Sequence, residues 1–120
     1  MRIITNSSWR AHTAPIFNIL KVLTVFDINK LQTACFILKV VTQQLPSYFI
    51  DLFIPNSAIH NYNTRQASDF HISFSHTKSR QLSIVIYGAK SWNKLDDNLK
   101  RCRTLQNFKY KHKQFLLINR

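Results

Sequence analysis

Residues 28–45, INKLQTACFILKVVTQQL, decide the fold that the sequence predicts. The residues that recur on one helix face at a spacing of 3.6 are Ile28, Leu31, Cys35, Leu38 and Leu45. Phe36 and Val40 lie on the opposite side, so this helix is apolar nearly all round. Such a helix is normally buried on more than one face. We therefore expect Phe36 and Val40 to be exposed in this chain, to need a partner domain, and to make the isolated chain marginally stable.

The sequence on both sides of this stretch also predicts helices. Asp27 is the predicted N-cap residue of the long helix, and Pro46 ends it. Residues 13–26 form a predicted helix capped by Thr13, with Pro15 in its first turn. Residues 47–54 form a short third helix before the next proline.

The second half of the chain contains the predicted strand. Residues 82–87, LSIVIY, are β-branched and aromatic, and the chain's single glycine, Gly88, follows them. We expect Gly88 to form a sharp strand-to-helix turn at positive φ. A short helix over residues 91–102 and a final helix, Leu105–Ile118, capped by Thr104, complete the prediction.

The expected fold is therefore mainly α with one short β-strand or hairpin: a small helical bundle with basic C-terminal helices. Residues 1–55 are the apolar helical part, residues 56–81 a polar extended connector, and residues 82–120 a basic strand-turn-helix part.

Charge is the strongest functional signal. The 120 residues include 17 Lys and Arg against five acids, all aspartates, for a net charge of +12. Residues 61–120 carry +9 of this charge. Such an excess favours a polyanionic partner, which is either nucleic acid or an anionic membrane surface. The alternative is a solvated basic face that binds nothing.

Other sequence features limit the compartment. The longest apolar stretch, residues 16–26, is too short to span a bilayer, and it is interrupted by Asn18 and Lys21. The N-terminus lacks the pattern of a signal peptide. Because Cys35 and Cys102 form no disulfide framework, we expect an intracellular, reducing compartment, with nucleus and cytoplasm both open.

Several residues could carry chemistry, but none stands in a recognisable catalytic pattern. Asp96 and Asp97 are similar to a metal-binding aspartate pair of polymerases, yet carboxylates in a first helical turn also interact favourably with the helix dipole. His71 and His76 lack cysteine partners for a zinc site. Cys35 lies on a predicted core face and should be an inert thiol. We therefore expect no catalytic residue, no metal site and no cofactor.

Basic residues interleaved with aromatic ones form the candidate binding site. Lysine and arginine neutralise phosphates, while exposed aromatic rings can stack on bases. The candidate nucleic-acid-binding residues are Arg65, Lys78, Arg80, Lys90, Trp92, Lys94, Lys100, Arg101, Arg103, Lys109, Lys111 and Lys113. For Trp92, burial as a packing anchor beside a turn is the alternative to base stacking.

An ordered series of short blocks adds a family resemblance. The blocks are residues 4–8, 11–15, 27–28, 45–46, 59–65, 83–84, Gly88 with 92–95, and 104–109. Together they resemble the C-terminal region, just after the polymerase palm, of reverse transcriptases from non-LTR (LINE-type) retrotransposons of animals. The resemblance covers essentially the whole chain. One departure is Asp96, which stands where the family tends to have proline after Trp-Asn-x-Leu.

The resemblance implies thumb-like helices and a C-terminal extension that contact an RNA or DNA duplex during target-primed reverse transcription. It gives the chain no catalytic palm and gives Asp96 and Asp97 no catalytic role. The expected function is a non-catalytic fragment of an RNA-directed DNA polymerase that binds RNA or DNA backbone. The alternative is a purely structural module that needs the missing palm and has no binding function of its own.

Overall fold

The structure, a computed structural model, describes residues 1–119. This described part contains eight α-helices, one π-helical segment and no β-strand, which confirms the prediction of a mainly α fold. The elements in chain order are α1 (Thr13–Ile19), α2 (Val25–Val41), α3 (Ser47–Asp51), α4 (Asn56–Ile59), α5 (Lys78–Gln81), the π-helix (Ile84–Gly88), α6 (Ala89–Asn93), α7 (Asp97–Lys100) and α8 (Leu105–Ile118).

A capping box fixes the start of α2. The backbone N–H of Asp27 donates to Oγ1 of Thr24 at 3.2 Å, and the backbone N–H of Thr24 donates to Oδ2 of Asp27 at 3.2 Å. Thr24 is therefore the N-cap residue, and the prediction that Asp27 caps the helix is wrong. Because Thr24 must be extended to make this box (ψ 165°), a helix over residues 13–26 cannot form, and α1 ends at Ile19.

Two helices end in a Schellman motif without glycine. After α1, Lys21 adopts a φ of 50°, and the N–H of Val22 donates to the carbonyl of Phe17 at 3.1 Å. After α2, Gln43 adopts a φ of 55°, and the N–H of Gln44 donates to the carbonyl of Lys39 at 2.9 Å. These bonds satisfy end carbonyls. They end α2 before Pro46, which instead precedes α3 as its N-cap residue.

The predicted strand over residues 82–87 is wrong, because this segment is helical. Ile84–Gly88 is a π-helix that runs directly into α6. Its residues pack against α2 and α6, and such tertiary packing overrides the strand preference of a β-branched run. The predicted helix over residues 91–102 is likewise divided into the end of α6 and α7, with residues 94–96 between them.

Gly88 has a packing role in place of the predicted turn. Its φ of −63° is helical, so the expectation of positive φ is wrong. A Cβ atom at this position would lie 3.0 Å from Cδ1 of Ile37, which is fully buried in α2. The missing side chain therefore lets the π-helix approach α2 closely.

The core joins α2 to the C-terminal helices. Phe108 of α8 and Ile37 of α2 are the largest fully buried side chains. The buried cluster also contains Phe53, Ala89, Trp92, Leu99 and Cys102, together with most of the inner face of α2. Both terminal parts of the sequence thus contribute to one core, while the division of the chain after residues 55 and 81 stays a prediction.

The chain itself covers the side of α2 that we expected to be exposed. Val40 is buried, and the ring of Phe36 lies 6.0 Å from that of Phe49 and 6.3 Å from that of Phe53. Because α3 and Phe53 fold back onto this side, the prediction that Phe36 and Val40 are left for a missing palm is wrong.

Residues 54–71 form a closed loop. The N–H of Asn56 donates to the carbonyl of Asp69 at 2.9 Å, and the N–H of His71 donates to the carbonyl of Ile54 at 2.8 Å. Pro55 and Phe70 form an antiparallel bridge between these bonds. With α4 and α5 also present, the expectation of a simply extended connector is wrong.

Candidate nucleic-acid interface

Most of the predicted binding residues are exposed, but they do not converge on one site. Lys100 is half-buried and Trp92 is buried, while the other ten are exposed. The exposed ten are Arg65, Lys78, Arg80, Lys90, Lys94, Arg101, Arg103, Lys109, Lys111 and Lys113. The structure distributes these residues over two clefts beside α6, the exposed sides of α5 and α8, and the turn before α8.

Trp92 is a packing anchor. Only 6% of its surface is exposed, and its ring lies 6.0 Å from the ring of Phe108. A ring held in this way cannot present a face to a base, so its place in the candidate binding set is wrong.

The first cleft, which we call the balanced cleft, contains as many acids as bases. Its volume is about 890 Å³. The charged residues that line it are Arg65, Lys100 and Arg101 together with Asp69, Asp96 and Asp97. These aspartates are all the acids of the second half of the chain. The cleft therefore has no excess of positive charge to offer a phosphate.

Lys100 is engaged inside the balanced cleft. Its Nζ lies 3.7 Å from Oδ1 of Asp69 and 3.8 Å from Oδ1 of Asp97, and it donates to the carbonyl of Asn93 at 3.2 Å. Asp96 is the N-cap residue of α7, and Asp97 lies in its first turn, as the helix-start interpretation predicts. No group of three residues able to hold a metal ion occurs within residues 1–119.

Asn93 connects the two halves of this region. Its Nδ2 donates to the carbonyl of Phe70 at 2.8 Å, and the N–H of Phe70 donates to its Oδ1 at 2.9 Å. A carboxamide that bonds both groups of one residue imitates a neighbouring β-strand, and it fixes the closed loop to the end of α6. Sequence reasoning gave Asn93 no role, although its place beside Trp92 in the block of residues 92–95 was a usable signal.

The second cleft, which we call the lysine groove, lies between residues 72–75 and the π-helix with α6. Its volume is about 620 Å³, and none of the residues between 1 and 119 that line it is an acid. Two segments line it, which we call its walls: Lys90 and Lys94 come from α6 and its C-cap, and Phe74, a residue that is 82% exposed, comes from residues 72–75. Serine hydroxyls occur on both walls. Phe74 was missed from sequence, where the signal was a single aromatic residue among serines.

Local hydrogen bonds hold the wall that carries Phe74. Oγ of Ser75, a buried residue, donates to the carbonyl of Thr77 at 3.3 Å, and Nε2 of Gln81 donates to the carbonyl of Ser75 at 3.0 Å. Oγ1 of Thr77 in turn accepts from the N–H of Arg80 and caps α5. The segment that follows Phe74 is thereby tied to α5.

Two buried titratable groups belong to the core. Burial raises the pKa of the Cys35 thiol, against the opposing influence of Lys109 and Lys39, so the thiol stays protonated and unreactive, as predicted. Burial lowers the pKa of His112, whose ring lies 5.4 Å from that of Phe108. Its Nδ1 has no hydrogen-bond partner among the described residues.

The remaining observations set limits. Within residues 1–119, we find no helix with the length and apolar character needed to cross a bilayer. Comparison with models of protein families, with curated proteins and with solved structures gave no match. The resemblance to non-LTR reverse transcriptases therefore stays a prediction from the sequence blocks.

Proposed function

We propose that this chain is a non-catalytic part of a retrotransposon-type reverse transcriptase and that it binds the phosphate backbone of RNA or DNA. The observation that carries the binding proposal is charge that the chain cannot neutralise. The chain has five aspartates and 17 basic residues, so at least twelve positive charges have no acidic side chain to neutralise them. Phosphate neutralisation with release of counterions is the interaction that such a surface supports.

The placement of the aspartates supports the same proposal. Three of the five surround the balanced cleft, where one basic residue, Lys100, is already paired. The lysine groove and the exposed lysines of α8 are left with uncompensated charge. The proposal implies an intracellular location with access to nucleic acid.

A salt titration tests the proposal. The full chain is mixed with fluorescently labelled RNA and DNA of several sequences, and anisotropy is measured from about 50 to 200 mM salt, a range over which several phosphate contacts change affinity strongly. We expect similar affinity for all sequences and a linear fall of log K with log salt. Absence of binding at the lowest salt concentration would remove the proposal.

A structural role inside a longer polymerase is a second candidate, favoured by a different observation. The N-terminal segment exposes large apolar side chains, with Trp9 73% exposed, Val25 78% and Phe26 79%. Joining the chain to a fingers-and-palm portion would test this role. Restored polymerase activity with unchanged template affinity supports it, whereas a gain in template affinity supports the binding role.

A further inference from the structure

We propose that the lysine groove binds a segment of single-stranded RNA or DNA, with a base stacked on Phe74 and neighbouring phosphates on Lys90 and Lys94. This inference rests on the proposed function and specifies where and in what form the nucleic acid binds. Phe74 is thus the residue that stacks on a base, because Trp92 is buried in the core.

The aromatic wall meets the requirement for stacking. Phe74 is 82% exposed. Its one ring neighbour in the structure, His76, meets it edge to face, with centroids 4.8 Å apart and planes at 86°. The bonds of Ser75 and Gln81 hold the backbone next to Phe74, which limits the positions that the ring can take. Base–aromatic stacking tolerates any base, because every base has a π-face.

The basic wall meets the requirement for phosphate binding. Lys90 lies in α6, and Lys94, four residues later, is its C-cap residue with a helical backbone conformation, which favours placement of the two side chains on one face. Both also line a smaller cavity of about 430 Å³ beside the groove, where Asp69 is the one acid. Since Asp69 lies near Lys100, the groove itself keeps two uncompensated charges.

The size of the groove favours a single strand over a duplex. A volume of about 620 Å³ is that of a site for one small ligand, and a duplex does not enter such a space. Stacking on Phe74 also needs an unstacked base, which a single strand supplies and a duplex withholds. The hydroxyls of Ser73 and Ser91 can donate to phosphate or sugar oxygens, while that of Ser75 already donates to Thr77.

The experiment measures anisotropy of a labelled 12-nucleotide single strand with the full chain and four variants. Phe74→Leu is compared with Phe26→Leu, a control with a similarly exposed ring (79%) on α2. Lys94→Gln is compared with Lys30→Gln, an exposed lysine on α2. Circular dichroism of each variant checks that the helices are intact.

We expect Phe74→Leu to weaken binding about tenfold, since one stacked base contributes at this level, and to leave the salt dependence unchanged. Lys94→Gln should reduce the magnitude of the slope of log K against log salt by about 0.7, the value for one phosphate contact on a single strand. A strand of the same length without bases should bind the unchanged chain and Phe74→Leu equally, and an unlabelled duplex should compete poorly.

The outcomes separate the inference from the function on which it rests. If the unchanged chain binds no strand at low salt, both fail. If it binds but Phe74→Leu behaves as Phe26→Leu does, or if the duplex competes as well as the single strand, the backbone-binding function stands and the groove proposal is overturned.

Discussion

The two clefts beside α6 contain the same kinds of residues and differ in where the aspartates lie. Among residues 1–119, the balanced cleft is lined by three basic residues and three acids, whereas the lysine groove is lined by two lysines and no acid. Lys100 is paired and half-buried, while Lys90 and Lys94 are exposed. The density of lysine and arginine along a sequence therefore does not identify a phosphate-binding surface, because the position of the few acids decides which positive charges remain available.

Three consecutive residues maintain this difference. Trp92 enters the core, Asn93 bonds to Phe70 on the closed loop, and Lys94 lines the groove. Changes in this segment should therefore remove or enlarge the contrast between the clefts.

The largest effect is expected from Trp92→Ala. Removing a buried ring that packs on Phe108 leaves a cavity in the core, and the free energy of unfolding should fall by about 3–5 kcal/mol. Both clefts would be lost together, since α6 separates them. Urea denaturation followed by circular dichroism measures the change. Phe74→Ala is the control and should stay within about 0.5 kcal/mol; equal losses for the two rings would contradict the assignment of Trp92 to the core.

Asn93→Ala should have the next largest effect. The N–H and carbonyl of Phe70 would lose their partners, at a cost of about 2 kcal/mol. Asp69, next to Phe70, would then no longer be held near Lys100, and the balanced cleft should become more accessible to hydrogen exchange than the groove. Asn98→Ala, which removes an exposed bond of 3.3 Å to Asp96, should change stability by less than about 0.5 kcal/mol. Similar values for both variants would show that the bonds of Asn93 are not structural.

Lowering the pH should weaken the core through His112, which is buried in α8. Since burial lowers the pKa of His112, the unfolded chain takes up a proton near the ordinary value of 6.5 and the folded chain only at lower pH. The contribution of His112 to the free energy of unfolding is therefore complete above pH 6.5. It decreases as the pH falls below 6.5 and stops decreasing below the lowered pKa of the folded chain. The slope cannot exceed about 1.4 kcal/mol per pH unit.

Melting temperatures between pH 7.5 and 5.5 would record this loss. His112→Phe keeps an aromatic ring beside Phe108 without a titratable group, so its stability should depend less on pH over the same range. A pH profile identical to that of the unchanged chain would assign the loss to other groups.

The smallest change in stability is expected when an aspartate of the balanced cleft is replaced. Asp97→Asn removes an exposed ion pair with Lys100 and should change stability by less than about 1 kcal/mol. It leaves the balanced cleft with an excess of positive charge, so affinity for single-stranded RNA should rise. Asp51→Asn on α3 removes the same charge elsewhere and is the matched control. A larger gain for Asp51→Asn would contradict the importance of the position of the acids.

Sequence reasoning located the elements whose signals are local. The last helix was predicted with its observed bounds, Leu105–Ile118, because its apolar spacing and the preceding Thr104 agree. The ends of α1 and α2 were missed, because Lys21 and Gln43 adopt the conformation for which glycine is the usual signal. The strand prediction failed because packing against α2, a long-range contact, decides the conformation of the β-branched run.

The candidate site was predictable to a similar degree. Lys90 and Lys94 were correctly placed on the surface, since exposure is the usual state of lysine. Trp92 could be excluded from the binding residues only from its contact with Phe108 in the folded chain. The role of Asn93 likewise depends on a bond to Phe70, which lies 23 residues away in the chain. Phe74 could be recognised only when α6 was found opposite it.

The π-helix before α6 sets a rotational phase. A π-turn contains one residue more than an α-turn, and each residue of an α-helix corresponds to about 100° of rotation. Because the wider π-turn accommodates this extra residue, deleting one residue within Ile84–Gly88 would let an ordinary α-helix form with nearly the same rotational phase at its two ends. Deleting one residue within α6 would instead rotate everything before the deletion by about 100° relative to Lys94. The π-helix is thus the place in this helical segment where the loss of one residue should least disturb the lysine groove, whereas the same loss within α6 should disturb it most.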